Sequence, residues 1–436
     1  MIISFKTLGC KTNQFETGAL QTLLTARGHR LAEPGETADA VVINTCAVTA
    51  ESSRKSRQAV RRARTDHPEA RIAVCGCLSQ LGPGEIETLG ADLVAGSGDR
   101  AAFVADLERV VEGQRPLTEI ASARGRHDFE LLPAGGPTDR TRALLKVQDG
   151  CDNFCTYCIV PLVRGPIRSM PMERAVAEAR RLAEKGFQEL VITGIEISSY
   201  GRDLVGENRL CPQLPDLIAA ICDAVPDLRV RLGSLEPRTV TADFCDRLKG
   251  YKNLCPHFHL SLQSGSDETL RRMGRRYNTE WYFESLGRLR AAFPDVAITT
   301  DLIVGFPGEW EADFDKSLAF LQKCAFSDVH VFPYSQRAGT KAAELPDQIE
   351  KAERHRRAKL AGAVVKELRL AWLKGQIGKT MPVLFEREEN GFAEGYTPNY
   401  CTVSVPEEGL QNQIWPVVIQ SVSGKGLRGE RLPAMQ

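Results

Sequence analysis

Residues 151–158 read Cys151-Asp-Asn-Phe-Cys155-Thr-Tyr-Cys158 and directly follow a strand-like run over residues 142–148. Three thiols this close together cannot all be satisfied as disulfides, because one is always left over and the geometry is strained. Thiolates at this spacing suit zinc or an iron–sulfur cluster. The loop therefore predicts a metal centre with an open fourth position. The alternative is a structural zinc that takes its fourth ligand from elsewhere in the chain.

The spacing Cys-x3-Cys-x-aromatic-Cys, placed after the first strand of an α/β unit, resembles the radical S-adenosylmethionine (SAM) enzymes. This resemblance implies that Cys151, Cys155 and Cys158 hold a [4Fe–4S] cluster. It also implies that the open iron of the cluster chelates the amino and carboxylate groups of SAM. The motif is specific for the type of cluster and says little about the substrate.

Length and composition exclude several classes of protein. A chain of 436 residues predicts roughly three domains of about 150 residues each. The chain has 56 lysine and arginine residues and 56 aspartate and glutamate residues, so it carries no formal net charge. Only local patches could therefore supply the basic surface of a nucleic-acid-binding protein. Thirteen cysteines, with no secretory leader and no apolar run of transmembrane length, indicate a cytoplasmic protein whose thiols bind metal.

Residues 1–116 alternate strand-like and helical stretches, which predicts a parallel α/β sheet of four or five strands. Cys10, Cys46 and Cys77 each follow a predicted strand. They should therefore converge at the carboxyl edge of the sheet, where ligands bind in open α/β folds, although each alone would ordinarily be a small buried hydrophobe. The three loops resemble the N-terminal domain of the radical SAM methylthiotransferases. That domain holds a second [4Fe–4S] cluster, and matching the loops makes these thiols its ligands and leaves Cys75 without a required role.

A turn-rich connector over residues 117–141 leads into six strand–helix units over residues 142–345, which predict an open, partial (β/α) barrel. Chemistry in such barrels lies at the C-terminal ends of the strands, where the three-cysteine loop falls. Other strand ends offer glycines for close backbone approach and polar groups for a ribose or an amide, although a turn glycine explains any one of them alone. Together they resemble the SAM-binding loops of the family: Thr193, Gly194, Ser234, Glu236, Gln263, Ser264, Gly305, Phe306 and Pro307.

The last part of the chain changes character. Residues 346–375 are typical of a charged helical connector, whose ordinary interpretation is a solvated face. Residues 376–436 contain short strands at close intervals, which predicts a small all-β barrel. This tail resembles the TRAM domain, an OB-like RNA-binding module. Its loop with Tyr396, Asn399 and Tyr400 would stack on bases or, alternatively, fill the core.

The three predicted domains follow the order of the radical SAM methylthiotransferases. Residues 7–17, 138–142 and 395–400 look most like the branch that converts N6-threonylcarbamoyladenosine at position 37 of tRNA to its 2-methylthio form. The resemblance implies two SAM molecules: one methylates sulfur on the N-terminal cluster, and the other yields the radical that removes hydrogen from adenine C2. It implies as partners the tRNA anticodon stem-loop and a reductant such as flavodoxin or ferredoxin, with an unidentified sulfur donor and no membrane.

Other functions stay open at this point. Methylthiolation of isopentenyladenosine-37 or of a ribosomal-protein aspartate shares both cluster motifs, and an RNA-binding iron–sulfur sensor or scaffold is a different class. The SAM-suited loops speak against that last class. A threonylcarbamoyl group carries a carboxylate, so its pocket should offer cationic or hydrogen-bonding groups. Arg164, Arg168 and Arg337 are candidates, and basic runs over residues 61–64, 271–276 and 351–369 predict phosphate contacts.

Overall fold

The computed structural model describes residues 1–117, 119–135, 141–204 and 212–433. Residues 138–140 of the segment 138–142, and part of the predicted connector, lie outside the described residues. None of the described helices is both long and apolar enough to cross a lipid bilayer.

The first part of the chain forms one parallel sheet with the strand order β2-β1-β3-β4-β5. Strands β3 and β4 are almost entirely buried, as expected for parallel strands covered by helices on both faces. The elements are β1 (Ile2–Thr7), α1 (Lys11–Ala26), β2 (Arg30–Leu31), β3 (Ala40–Thr45), α2 (Ala50–Asp66), β4 (Arg71–Gly76), α3 (Cys77–Leu81), α4 (Pro83–Thr88), β5 (Leu93–Val94) and α5 (Arg100–Val111).

Helix α1 begins at Lys11, five residues before the helical pattern of residues 16–27 begins in the sequence. The sequence of the first turn is polar, which is typical of a loop. It is helical because the Asn13 side chain donates to the carbonyl oxygens of Leu8 at 2.8 Å and Thr45 at 2.9 Å. The helix therefore starts directly at the loop that carries Cys10.

The middle of the chain forms the predicted partial barrel. Its parallel strands lie in two sheets, with the orders β10-β9-β6 and β11-β12-β13-β14, and a bridge from Val230 to Leu254 joins them. The elements are β6 (Arg142–Lys146), β7 (Gln148–Asp149), α6 (Val160–Arg164), β8 (Arg168–Ser169), α7 (Met172–Glu184), β9 (Glu189–Thr193), α8 (Leu214–Ala224), β10 (Arg229–Leu232), β11 (Ser234–Leu235), α9 (Ala242–Leu248), β12 (His257–Leu260), α10 (Asp267–Arg272), α11 (Thr279–Ala292), β13 (Ala297–Val304), α12 (Glu311–Cys324), β14 (Asp328–Pro333), α13 (Lys341–Glu344) and α14 (Lys351–Lys374).

The C-terminal strands close into the predicted small β-barrel, in the order β15-β16-β17-β19-β18. They are β15 (Thr380–Glu389), β16 (Phe392–Tyr396), β17 (Thr402–Val405), β18 (Ile414–Ser423) and β19 (Gly426–Arg431). The small barrel docks on β10, because Arg229 donates to Pro382 O at 2.6 Å and Arg231 donates to Pro398 O at 2.9 Å. The sequence thus folds into a parallel sheet, a partial (β/α) barrel and a closed β-barrel, as its patterning predicts.

A buried ion network joins the first sheet to the partial barrel. The carboxylate of Glu16 on α1 accepts from Arg100 at 2.8 Å, from Lys146 at 3.2 Å and from both terminal nitrogens of Arg164. All four side chains are buried. Burial alone raises the pKa of Glu16, but the three cations outweigh it and hold that pKa well below its ordinary value.

Candidate functional site

The three-cysteine loop leaves β7 through Gly150, which has a φ of +73°. A Cβ on Gly150 would lie 1.8 Å from the carbonyl oxygen of Pro166, so only glycine fits this turn. The next amide, that of Cys151, donates to Gly165 O at 3.1 Å. These contacts fix the start of the loop against the strand that follows α6.

The far side of the loop is fixed by the segment after α10. Thr156 N donates to Met273 O at 3.0 Å, and the Thr156 hydroxyl donates to Arg272 O at 3.0 Å. Arg275 Nη1 donates to Cys155 Sγ at 3.1 Å, while its Nε donates to the Tyr277 hydroxyl oxygen at 3.0 Å. A predicted cluster ligand is thus held by a guanidinium whose own position is fixed.

An Arg275→Gln variant should lower the midpoint potential of the cluster on residues 151–158. An N–H group that donates to a ligand sulfur stabilises the reduced cluster, because the reduced cluster carries more negative charge. Losing about 1 kcal/mol of this stabilisation lowers the potential by roughly 40 mV for one electron. Redox titration followed by electron paramagnetic resonance measures the shift. The neighbouring exposed Arg276 provides the control, and an equal shift in Arg276→Gln contradicts this role.

The N-terminal thiols lie at three neighbouring loops of the first sheet. Cys10 precedes α1, Cys46 follows β3, and Cys77 begins α3. A Cβ on Gly9 would lie 2.7 Å from Cys46 Cβ and 2.8 Å from its Sγ, so Gly9 lets the first loop lie directly against the second. The Cys77 thiol is close enough to interact electrostatically with both Cys10 and Cys46. The structure therefore brings the three predicted ligands together.

Cys75 and Cys77 occupy different environments although only one residue separates them. Cys75 is fully buried in the hydrophobic cluster that contains Phe103 of α5. Cys77 packs instead with Ile159 and Val163 around helix α6, which follows the other three-cysteine loop. Burial raises the pKa of each thiol to about 11. A thiolate at Cys77 therefore needs a nearby positive charge, which a bound metal centre supplies.

The donor sets fit iron–sulfur clusters better than single metal ions. In the described ranges, no group of three or more cysteine, histidine or acidic side chains is spaced to hold one metal ion. A [4Fe–4S] cluster takes one thiolate on each iron, so its ligands stand further apart than those of a tetrahedral zinc. Cys151, Cys155 and Cys158, and separately Cys10, Cys46 and Cys77, stay the predicted ligands of two such clusters.

Three of the residues predicted to bind SAM share a cavity with the N-terminal thiols. Thr193, Gly194 and Ser234 line this cavity together with Cys10 and Cys46. Its volume is about 910 Å³. Its other polar or charged walls include Lys11, His257, His259, Thr299, Asp301, Asp328, His330, Arg369, Tyr396, Asn399 and Tyr400.

The remaining predicted SAM contacts are packed into the barrel wall and do not line this cavity. Glu236 is buried and pairs with Arg238 at 2.8 Å, and the Ser264 hydroxyl is bonded to Ser317 at 3.3 Å. Gln263 has a φ of +71°, and its amide donates to Asp301 O at 2.9 Å.

The segment from Gly305 to Pro307 lies beside the three-cysteine loop. Phe306 is fully buried and packs edge-on against Tyr157 of that loop, with ring centroids 6.4 Å apart. Position 305 also requires glycine for a packing reason, because a Cβ there would lie 2.3 Å from Arg354 Cγ on α14. Packing contacts therefore hold these residues next to the three-cysteine loop.

Glu196 is a candidate SAM contact that sequence reasoning missed. It follows β9 by three residues, and its Oε1 accepts from Ser198 N at 3.0 Å. Its Oε2 is buried and has no hydrogen-bond partner among the described residues. Burial, with Glu236 nearby, raises its pKa, and its charge is felt at Cys151. An orphaned carboxylate oxygen beside this loop fits a ligand that carries an ammonium or hydroxyl group, as SAM does.

The floor of the cavity is an aromatic stack between the two barrels. The Tyr400 ring stacks on His257 at 4.6 Å and on Tyr396 at 5.0 Å. The guanidinium of Arg231 lies 4.7 Å from the centre of the Tyr400 ring, and that of Arg142 lies 4.8 Å from the centre of the Tyr396 ring. These tyrosines therefore hold the C-terminal barrel on the partial barrel, and their edges line the cavity.

The arginines proposed for a substrate carboxylate have other partners. Arg164 belongs to the Glu16 network, and Arg168 lies 3.5 Å from Asp149. Arg337 donates to Ser53 Oγ at 2.9 Å and is not among the cavity walls. The prediction that one of these three arginines faces the substrate pocket therefore finds no support.

Several of the basic runs are also paired within the protein. Arg357 is buried against Glu309 at 2.9 Å, and Arg356 pairs with Glu311 at 2.7 Å. Arg271 is bonded to Glu268 at 2.7 Å. Arg357 is thus held inside the fold, whereas Arg356 and Arg271 keep exposed side chains. Phosphate contacts by the basic runs stay a prediction.

Comparison with known proteins assigns two parts of the chain to families. Residues 145–321 match the radical SAM superfamily. Residues 2–96 match the uncharacterized protein family UPF0004. The first match covers the partial barrel with its three-cysteine loop, and the second covers the sheet with Cys10, Cys46 and Cys77.

Curated relatives cover nearly the whole chain. The threonylcarbamoyladenosine tRNA methylthiotransferase MtaB of Bacillus subtilis is 37% identical over 95% of this chain and 92% of its own length. The tRNA-2-methylthio-N(6)-dimethylallyladenosine synthase of Symbiobacterium thermophilum is 31% identical over 98% and 94%. Among solved structures, the radical SAM methyltransferase TsrM from Kitasatospora setae superposes with a TM-score of 0.57 at 15% identity, covering 78% of this chain and 73% of that one. This last likeness concerns the fold.

Proposed function

The chain belongs to the radical SAM methylthiotransferase family, and from that premise we propose that it adds a methylthio group to C2 of N6-threonylcarbamoyladenosine at position 37 of tRNA. The family activity is a SAM-dependent radical methylthiolation of tRNA that uses two [4Fe–4S] clusters. The choice of nucleoside, and the residues that carry it out, are the proposal.

Cys151, Cys155 and Cys158 would hold the cluster that binds SAM, and Cys10, Cys46 and Cys77 would hold the second cluster. When bound, the first cluster would supply the electron that cleaves SAM, and the second cluster would carry the transferred sulfur. Thr193, Gly194, Ser234 and Glu196 would orient SAM from the strand ends, and the walls of the barrel exclude water from the reacting atoms. A reductant of the flavodoxin or ferredoxin class would deliver the electron.

The observation that carries the choice of nucleoside is the polarity of the cavity that Cys10 and Cys46 line. The Thr299 hydroxyl lies 3.0 Å from His259 Nδ1 and 3.2 Å from His257 Nε2, and His259 Nε2 lies 3.3 Å from Asp301 Oδ2. A threonylcarbamoyl group offers a carboxylate, a hydroxyl and amide groups to such walls. An isopentenyl group offers these walls no polar partner in place of water, and covering polar groups with apolar atoms is costly.

The position of the nucleoside in tRNA makes it accessible to an enzyme cavity. A base next to the anticodon is single-stranded, so it can be turned out of its stack without opening a duplex. The cavity is large enough for a base with its substituent, because small-molecule sites commonly measure about 300–1,000 Å³.

Two anticodon stem-loops that differ only at nucleoside 37 test the proposal. With reconstituted, reduced protein and SAM, nucleoside mass spectrometry should detect the 2-methylthio product on the threonylcarbamoyl RNA. Product on the isopentenyl RNA should be lower by at least about a hundredfold, because a pocket built for hydrogen bonds rejects an analogue that lacks them. Equal activity on both RNAs, or activity on the isopentenyl RNA alone, contradicts the proposal.

A further inference from the structure

Lys11 lies beside the N-terminal thiols, at the wall of the cavity. It directly follows Cys10 and opens helix α1. Its side chain lines the main cavity and also a smaller adjoining cavity of about 400 Å³. The residue is exposed, so a ligand that enters either cavity can reach it.

Among the charged side chains that line the main cavity, that of Lys11 lacks a counter-ion in the described residues. The main cavity has four walls with a formally charged side chain among the described residues: Lys11, Asp301, Asp328 and Arg369. Asp301 lies 3.3 Å from His259 Nε2, and Asp328 lies 4.0 Å from Arg369 Nε. Lys11 Nζ makes neither a hydrogen bond nor an ion pair with any residue in the described ranges. The carboxylate whose charge reaches it, that of Glu189, is already paired with Arg231.

The two arginines that line the adjoining cavity, unlike Lys11, are paired with carboxylates. Arg142 donates to Glu386 at 2.9 Å, and Arg231 donates to Glu189 at 2.7 Å. Both guanidinium groups therefore have a counter-ion within the protein. An exposed ammonium group without a counter-ion keeps its hydration and stays free to form a charge-assisted hydrogen bond with an anion that enters the cavity.

We propose that Lys11 binds the carboxylate of the threonylcarbamoyl group and thereby selects this nucleoside, an inference that rests on the proposed function. The covalent structure of the substrate supports the placement. Adenine C2 must approach the sulfur held at Cys10, Cys46 and Cys77. Four bonds of about 1.5 Å join N6 to the carboxylate carbon, so the carboxylate stays within reach of a lysine that is adjacent to Cys10.

A double-mutant cycle between protein and substrate tests this contact. The proteins are the reconstituted wild type and Lys11→Gln, and the RNAs are anticodon stem-loops that carry the threonylcarbamoyl group either as the free acid or as its methyl ester. Fluorescence anisotropy measures the four dissociation constants. The wild type should bind the acid about ten- to a hundredfold more tightly than the ester, as a charge-assisted hydrogen bond predicts. Lys11→Gln should bind both RNAs equally.

Two further variants make the result specific. Lys6→Gln removes an exposed lysine of β1 that does not line the cavity, so it should keep the full preference for the acid. Lys11→Arg keeps the positive charge and should retain most of the preference. Iron analysis of every variant identifies any loss of a cluster.

Each other outcome overturns the inference. Equal weakening of both RNAs by Lys11→Gln would place Lys11 on an RNA phosphate or on the cluster sulfur. Equal binding of acid and ester by the wild type would rule out carboxylate recognition, whatever the variants do. Failure of the proposed function has a different signature, because the wild type would then form product on the isopentenyl RNA and not on the threonylcarbamoyl RNA.

Discussion

Replacing Cys151, Cys155 and Cys158 together by alanine is expected to abolish SAM cleavage and to remove about half of the bound iron, close to four atoms per chain. These thiols lie on one loop fixed by Gly150 and Thr156, and three simultaneous losses leave the cluster without protein ligands. The N-terminal thiols lie on a different sheet, so their iron should remain.

Iron analysis and chromatography of 5′-deoxyadenosine measure the two effects. Cys222→Ala is the control, because Cys222 is also a free thiol but lies in helix α8 within the hydrophobic core. That variant should keep all of its iron and its SAM cleavage. Full iron retention in the triple variant would refute the assignment of these three ligands.

Replacing Cys10, Cys46 and Cys77 by alanine is expected to have the opposite pattern. SAM cleavage to 5′-deoxyadenosine should persist, because the loop at residues 151–158 is intact. Methylthio product should fall below detection, because the site that carries the sulfur is lost. Quantifying 5′-deoxyadenosine and the modified nucleoside in the same reaction separates the two activities.

Single variants distinguish Cys75 from Cys77 within this experiment. Cys75→Ala removes a thiol from the hydrophobic cluster under α5, so it should keep both iron and product. Cys77→Ala should lose product, since this residue begins α3 beside α6. If Cys75→Ala proved equally damaging, the choice between the two neighbours would be wrong.

The placement of the thiols was predictable from sequence because it depends on local order. Cys10, Cys46 and Cys77 each follow a strand, and parallel strands bring their carboxyl ends to one edge whatever their separation in sequence. The loop at residues 151–158 needs no long-range information, because its three thiols are already adjacent. The fold class followed from the same alternation of strands and helices.

The electrostatic partners were not predictable in this way. Glu16 and Arg164 are 148 positions apart, and nothing in either neighbourhood indicates that they meet in a buried network. Arg164 was therefore predicted as a substrate contact although it is a structural residue. Glu196 was missed for the related reason that one acid after a strand carries no signal until its burial is known.

The Glu16 network also bears on how a nucleotide reaches the reacting atoms. Glu16 lies on the helix that starts beside Cys10, while Lys146 and Arg164 flank the loop at residues 151–158 along the chain. Drawing the sheet away from the barrel would break several of these buried pairs at once, so the network gives the two parts one specific orientation. The position of α1, and of Cys10 before it, relative to the strand that leads into the loop at residues 151–158 is therefore set when the chain folds.

With that position set by the fold, the proposed substrate base is the part that has to move. It would turn out of the anticodon loop toward a cavity whose walls include Val48 and Phe332, two partly exposed apolar residues.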